Sequence, residues 1–185
     1  MKTEKEKMLS GELYDASDKV LKEERIYARD LTKAYNSSSE KEQELRNSIL
    51  AKLIPLQGDR LEIQPPFYCD YGYNIMLGDG VYFNFNCVLL DVMPIKIGAR
   101  TLIGPNVQIY TATHPINFKE RASGLESGKA IEIGEDVWLG GSVVINPGVN
   151  IGDRSVIGAG SVVTKDIPND VFAAGNPCKM IRSLV

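Results

Sequence analysis

The chain has 185 residues, the size of one ordinary domain of about 100–200 residues with room for an appended element. Lys and Arg number 21 against 24 Asp and Glu, a net charge of −3, so no overall positive field exists to attract nucleic acid or an anionic membrane. The single histidine, His114, excludes a zinc site built from three histidines of one chain and any mechanism needing two histidines from one polypeptide.

Residues 1–58 read as a helical segment. Thr3-x-x-Glu6 and Ser39-x-x-Glu42 both have the capping-box form, and Gly11 stops the first short helix. Between Asp18 and Asn36, Val20, Tyr27, Leu31, Ala34 and Tyr35 recur at helical spacing and are expected to face inward. Leu45, Ile49 and Leu53 form a further stripe before Pro55. The charge runs KEER and EKEQE are read as solvated faces. The N-terminus lacks the apolar run of a signal peptide, and no stretch approaches the roughly 18 apolar residues of a membrane span. With three widely spaced cysteines, Cys69, Cys87 and Cys178, and no CxxC, a reduced cytoplasmic protein is expected.

Residues 59–185 obey a six-residue rule. Apolar residues stand at Leu77, Phe83 and Leu89, at Ile97, Ile103 and Ile109, and at Ile133, Leu139, Ile145, Ile151, Ile157 and Val163. Two steps depart from six. Leu89 to Ile97 is a two-residue bulge, and Ile109 to Ile133 leaves room for an excursion over 115–130. Gly commonly follows the apolar residue, and a small or branched residue such as Val81, Cys87, Thr101, Val107, Thr113 or Val137 takes the fifth place. Helices do not repeat every six residues. The pattern predicts a coil of short strands joined by tight turns, three hexads making a triangular rung of eighteen residues. Cys69 and Cys87, eighteen apart, are then expected to stack as inward thiols. The helices and the tail after Pro168 are expected to cap or flank the coil.

Hexads of the form Leu/Ile/Val-Gly-x-x-x-x stand together with CDYGYNI at 69–75, YTATHP at 110–115, VWLGGSVVINPGVNIGD at 137–153, IGAGSVVTKDIP at 157–168, AGNPCKMIR at 174–182 and an N-terminal GELYD. The combination resembles the maltose/galactoside O-acetyltransferase group of the hexapeptide-repeat acyltransferase family, over nearly the whole chain. The resemblance implies a mainly β fold, a left-handed parallel β-helix, with acetyl-CoA as co-substrate and no metal. It also implies a homotrimer with active sites between neighbouring coils, and a small sugar of maltose or glucose type as acceptor. The alternative acceptor is a galactoside or another hydroxylated compound. Zinc-dependent hydrating enzymes on the same coil need more histidines than this chain has.

A sugar hydroxyl attacks a thioester only as a base removes its proton, and imidazole suits that task near neutrality. His114 is the one candidate, placed at the mouth of the long excursion and held extended by Pro115. Glu126, in the same excursion, either orients the imidazole or is a solvated loop carboxylate. Asn84 replaces the usual Gly of its hexad. By resemblance it contacts the accepting hydroxyl and the thioester, and the competing role is turn stabilisation. Asp70 and Asp91 are implied to bind sugar hydroxyls. The N-terminal carboxylate of galactoside-type members falls at Ala16 here, with Asp15 and Asp18 on either side of it, and Asp15 is taken as the substrate-binding candidate. For acetyl-CoA the resemblance implies Trp138, Gly141, Ala159, Thr164 and Lys165 along the pantetheine groove, with Lys179 and Arg182 near the phosphates. No GxSxG or Cys–His pair is present, which favours direct transfer over an acetyl-enzyme.

Overall fold

Three helices precede the first strand in the computed structural model, which describes residues 1–185. The first, α1 (Glu4–Leu9), starts on the reciprocal Thr3–Glu6 capping box and ends before Gly11, whose φ of +74° turns the chain away. The second, α2 (Lys19–Asn36), is capped by the Asp18 carboxylate, and α3 (Gln43–Leu53) follows. The expected box at Ser39 does not form. Glu42 does accept from the Ser39 N–H, but the Ser39 hydroxyl turns to Lys41, and α3 begins at Gln43 without a side-chain cap.

The inward face of α2 keeps Tyr35 and the partly buried Leu31 of the expected stripe but takes Leu21, Ala28 and Thr32 in place of Val20, Tyr27 and Ala34, which are exposed. Polar anchors fix this face. The Tyr35 hydroxyl donates to the Ile63 carbonyl at 2.5 Å and accepts from buried Arg46 at 2.9 Å. The Arg25 guanidinium donates to the Tyr71 hydroxyl and the Ala16 carbonyl. These bonds outweigh the apolar content of the opposite side, which lines an open groove with Tyr71 and Tyr73.

From Leu56 the chain winds into a parallel solenoid with three faces. The first face stacks Leu56–Gln57, Ile75–Leu77, Ile95–Ile97, Ile131–Ile133 and Asn150–Ile151. The second stacks Glu62–Ile63, Tyr82–Phe83, Leu102–Ile103, Trp138–Leu139, Val156–Ile157 and Val171–Gly175, closed by the antiparallel strand Cys178–Ser183. The third stacks Phe67–Cys69, Cys87–Leu90, Gln108–Tyr110, Val144–Ile145 and Val162–Val163. Each hexad puts its aliphatic and its small residue inside one continuous core, where Ile103, Val107, Ile109, Val137 and Leu139 are all buried. The Gly after the aliphatic residue has a packing cause. A Cβ on Gly98 would stand 2.6 Å from the Glu135 nitrogen of the next coil. Both ends are covered: the Asn36 side chain pairs with both backbone groups of Phe67 on the first strand of the third face, and the C-terminal hairpin closes the second.

Rung length is not constant. Leu77 pairs with Ile97 and Phe83 with Ile103, twenty positions on, whereas Ile133 pairs with Ile151, eighteen on. The surplus lies entirely at the corner from the third face to the first, in segments 70–74, 91–94 and 111–130. The two-residue insertion expected between Leu89 and Ile97 thus has a twin between Cys69 and Leu77. As a result Cys69 and Cys87 do not stack: Cys87 pairs with Phe67, and Cys69 with Leu89. Both remain buried free thiols. Thr113 also departs from its expected inward place, because by then the chain has left the coil for a hairpin.

Candidate active site

The enlarged corner gathers the polar groups. Ala112–Thr113 pairs antiparallel with Ser127–Gly128, in the register Ala112↔Gly128 and Thr113↔Ser127, and the next facing positions are His114 and Glu126. Side chains at facing positions share one side of a hairpin, so two residues twelve apart in sequence meet at the base of the excursion. His114 Nε2 lies 3.6 Å from Glu126 Oε2. The imidazole is open to solvent, 55% exposed, and the carboxylate is only 17% exposed. Beyond this base the excursion carries the short helix α4 (Phe118–Arg121) and two outward apolar side chains, Ile116 and Phe118.

The N-terminal segment closes the other side of Glu126. Tyr14 exchanges both backbone hydrogen bonds with it, at 3.0 and 3.2 Å, and its hydroxyl donates to Oε1 at 2.5 Å. Tyr14 is fully buried, in a cluster with Met8, Leu21, Tyr71 and Val92. Burial, then the bond to Glu126, pushes its phenol far above the usual range. Nothing in the spacing of the sequence marks Tyr14. Its only signal was membership of the GELYD segment.

Asp70 opens the same corner. Burial raises its carboxyl, the Arg25 charge opposes this, and the Glu126 charge adds to it. It also lines a cleft of about 510 Å³ between α2 and the third face, with Arg29, Lys33 and Tyr68. Asp91 corrects the expectation of a sugar ligand. Its side chain is fully buried, and its two oxygens take the backbone N–H groups of Asp70, Tyr71 and Gly72 at 2.7–2.9 Å. Buried in this way, neither oxygen faces solvent, and Asp91 shapes the 70–72 turn. Burial lifts its carboxyl to about 7 despite those bonds. Asp15 is exposed, and its carboxylate accepts from Ser17 within its own turn.

Asn84 lies elsewhere. It sits at the corner between the second and third faces, where its Oδ1 accepts from Phe85 and its amide N–H groups have no partner in the chain. The full strand Cys87–Leu90, roughly 13 Å at about 3.3 Å per residue, separates that corner from the Asp70 and His114 corner. Gly141 and Ala159 continue the Asn84 corner in later coils. Thr164 and Lys165 continue the His114 corner instead, both exposed. Trp138 is 55% exposed on the second face, in line with Leu102 and Val156. Lys179 and Arg182 are exposed on the last strand. The candidate residues thus fall mainly into two groups, Asn84, Gly141 and Ala159 at one edge of the third face and Asp70, His114, Glu126, Thr164 and Lys165 at the other.

A triangular parallel coil built from six-residue units is the architecture of the hexapeptide-repeat proteins. Residues 7–56 match the maltose acetyltransferase hexapeptide capping motif, and residues 130–165 match the six-repeat bacterial transferase hexapeptide. A maltose O-acetyltransferase from Clostridium difficile 630 is 49% identical, with a TM-score of 0.98 over 100% of this chain and 98% of that one. A galactoside acetyltransferase solved with coenzyme A is 40% identical, with a TM-score of 0.96 over 100% and 92%. A provisionally named acetyltransferase of Saccharomyces cerevisiae is 47% identical over 97% of this chain and 92% of its own. The chain belongs to the hexapeptide-repeat acetyltransferases, in the maltose and galactoside acetyltransferase group.

Proposed function

We propose that the protein transfers the acetyl group of acetyl-CoA to a hydroxyl of a small sugar of maltose or glucose type, directly and within a ternary complex. The observation that carries this is the His114–Glu126 pair, open to solvent on the imidazole side, at the base of the excursion. His114 takes the proton of the acceptor hydroxyl as its oxygen attacks the thioester carbonyl. The tetrahedral oxyanion then collapses, the C–S bond breaks, and the imidazolium returns the proton to the departing thiolate. Products are the acetyl ester and free CoA. With Nε2 facing the Glu126 carboxylate, Nδ1 keeps its lone pair for the hydroxyl. In this reading Asp70, whose carboxyl feels the Glu126 charge, binds a neighbouring sugar hydroxyl.

Two partial sites per chain favour a homotrimer in which the Asn84 edge of one protomer faces the His114 edge of its neighbour. The free Asn84 amide then donates to the oxyanion. Outward side chains support this association. The second face carries an apolar ladder of Leu102, Trp138, Val156 and Phe172 in register, while the first face is polar at Lys96, Glu132 and Asn150. The exposed Ile116 and Phe118 of the excursion add to the surface that a neighbour would cover. Acetyl-CoA then lies in a groove between protomers, with Gly141 and Ala159 on one side and the neighbour's Thr164 and Lys165 on the other, Trp138 beside it and Lys179 and Arg182 toward its phosphates. Support for the donor comes from the coenzyme A bound by the galactoside enzyme, and from a Vibrio cholerae relative, 41% identical, solved with acetyl coenzyme A. Three unpaired thiols, and no helix long and apolar enough to cross a membrane, suit the cytoplasm.

Release of free thiol from acetyl-CoA across maltose, glucose and galactoside acceptors tests the reading. Turnover with maltose or glucose is expected, and silence with every sugar would refute it. Sedimentation is expected to give three chains, and an active monomer would refute the shared site.

A further inference from the structure

We infer that Tyr14 is a positioning residue for the transfer, locking the Glu126 carboxylate in the rotamer that faces His114. The inference rests on the role proposed for His114 and Glu126 and adds the group that sets their geometry. Glu126 has two oxygens with two different neighbours: Oε1 accepts from the Tyr14 hydroxyl at 2.5 Å, and Oε2 stands 3.6 Å from His114 Nε2. A glutamate side chain without a second partner could turn its carboxylate away from the imidazole by rotating about its own bonds. The tyrosine removes that freedom because it cannot move itself. It is fully buried among Met8, Leu21, Tyr71 and Val92, and its backbone is bridged to Glu126 in both directions.

The other charged groups near Glu126 do not serve this purpose. Asp70 is an acceptor of like charge, and the Arg25 guanidinium is held by the Tyr71 hydroxyl and the Ala16 carbonyl. The Tyr71 hydroxyl accepts from Arg25 and makes no hydrogen bond to Glu126. Tyr14 is thus the one side-chain donor on Oε1, and it belongs to a segment more than a hundred positions from its partner. The helical N-terminus therefore reaches the chemistry as well as covering the coil.

Because His114 is the only histidine, its ring nitrogens can be observed without ambiguity by 15N NMR. In the unsubstituted protein the Nε2–H tautomer, donating toward Glu126, is expected to dominate the neutral imidazole. Tyr14→Phe keeps the buried ring and removes only the donor. It is expected to lower the Nε2–H share to the value found in Glu126→Gln, and to lower kcat about tenfold, less than the 10²–10⁴ of losing a general base, with KM for acetyl-CoA unchanged. Tyr14→Phe in the Glu126→Gln background is expected to change neither readout further. An unchanged tautomer ratio in Tyr14→Phe would overturn the inference, and so would an equal additional loss in the double variant. The NMR arm needs no acceptor, so failure of the sugar assay in the unsubstituted protein would strike the proposed reaction and leave the positioning test standing.

Discussion

At the scale of single residues, two carboxylates that look alike in the sequence have opposite duties. Asp91 saturates three backbone N–H groups inside the protein, so Asp91→Ala leaves them unpaired, and a loss of about 3 kcal/mol in urea unfolding is expected. Its pH dependence runs against the habit of acidic residues. Burial lifts the native carboxyl to about 7, whereas an unfolded Asp titrates near about 3.9. Between those values the native state holds more protons, so this group favours folding most below about pH 4 and its contribution declines up to about pH 7. Asp91→Asn should flatten that slope in stability measured across pH. Glu126 faces the imidazole instead, and replacing its partner, His114→Ala, is expected to lower kcat by about 10²–10⁴, with near-normal turnover counting against the base assignment.

At the scale of elements, the coil was legible because every rung demands the same thing of its residues: an aliphatic and a small side chain inside, and a turn with no room for a Cβ. Gly98→Ala drives a methyl into the Glu135 nitrogen, and a destabilisation of about 1–3 kcal/mol is expected by thermal or urea unfolding. Other features were less visible. Part of the expected α2 stripe, Val20, Tyr27 and Ala34, faces outward because apolar residues occur on both sides of that helix and polar anchors from Arg25 and Tyr35 choose between them. The stacking of Cys69 on Cys87 failed because a two-residue insertion at 70–74 leaves no gap in the aliphatic series, which begins only at Leu77. His114 was visible by its uniqueness. Its pairing with Glu126 depends on hairpin register, and that of Glu126 with Tyr14 on a contact spanning the chain, neither of which a local pattern encodes. Asp91 looked like a ligand because charge in a loop is readable and the direction of a side chain is not.

At the scale of the whole molecule, the placement of Asn84 and His114 at opposite edges of one face, taken with the proposed trimer, predicts that activity needs two protomers. Mixed trimers of Asn84→Ala and His114→Ala chains are expected to recover activity that neither has alone. About one site in three per mixed trimer would regain both groups, and a mixture as inactive as its parents would show that each chain works by itself. The confinement of all surplus residues to one corner carries a further consequence. A parallel stack keeps phase only if insertions leave the three strands of each rung in place, and this corner absorbs two residues, two residues and then eighteen without displacing a neighbour. It is in effect an open port in an otherwise closed lattice. Foreign loops of varied length should graft there without refolding the scaffold, and acceptor preference could change during descent by altering one port while the rungs stay untouched.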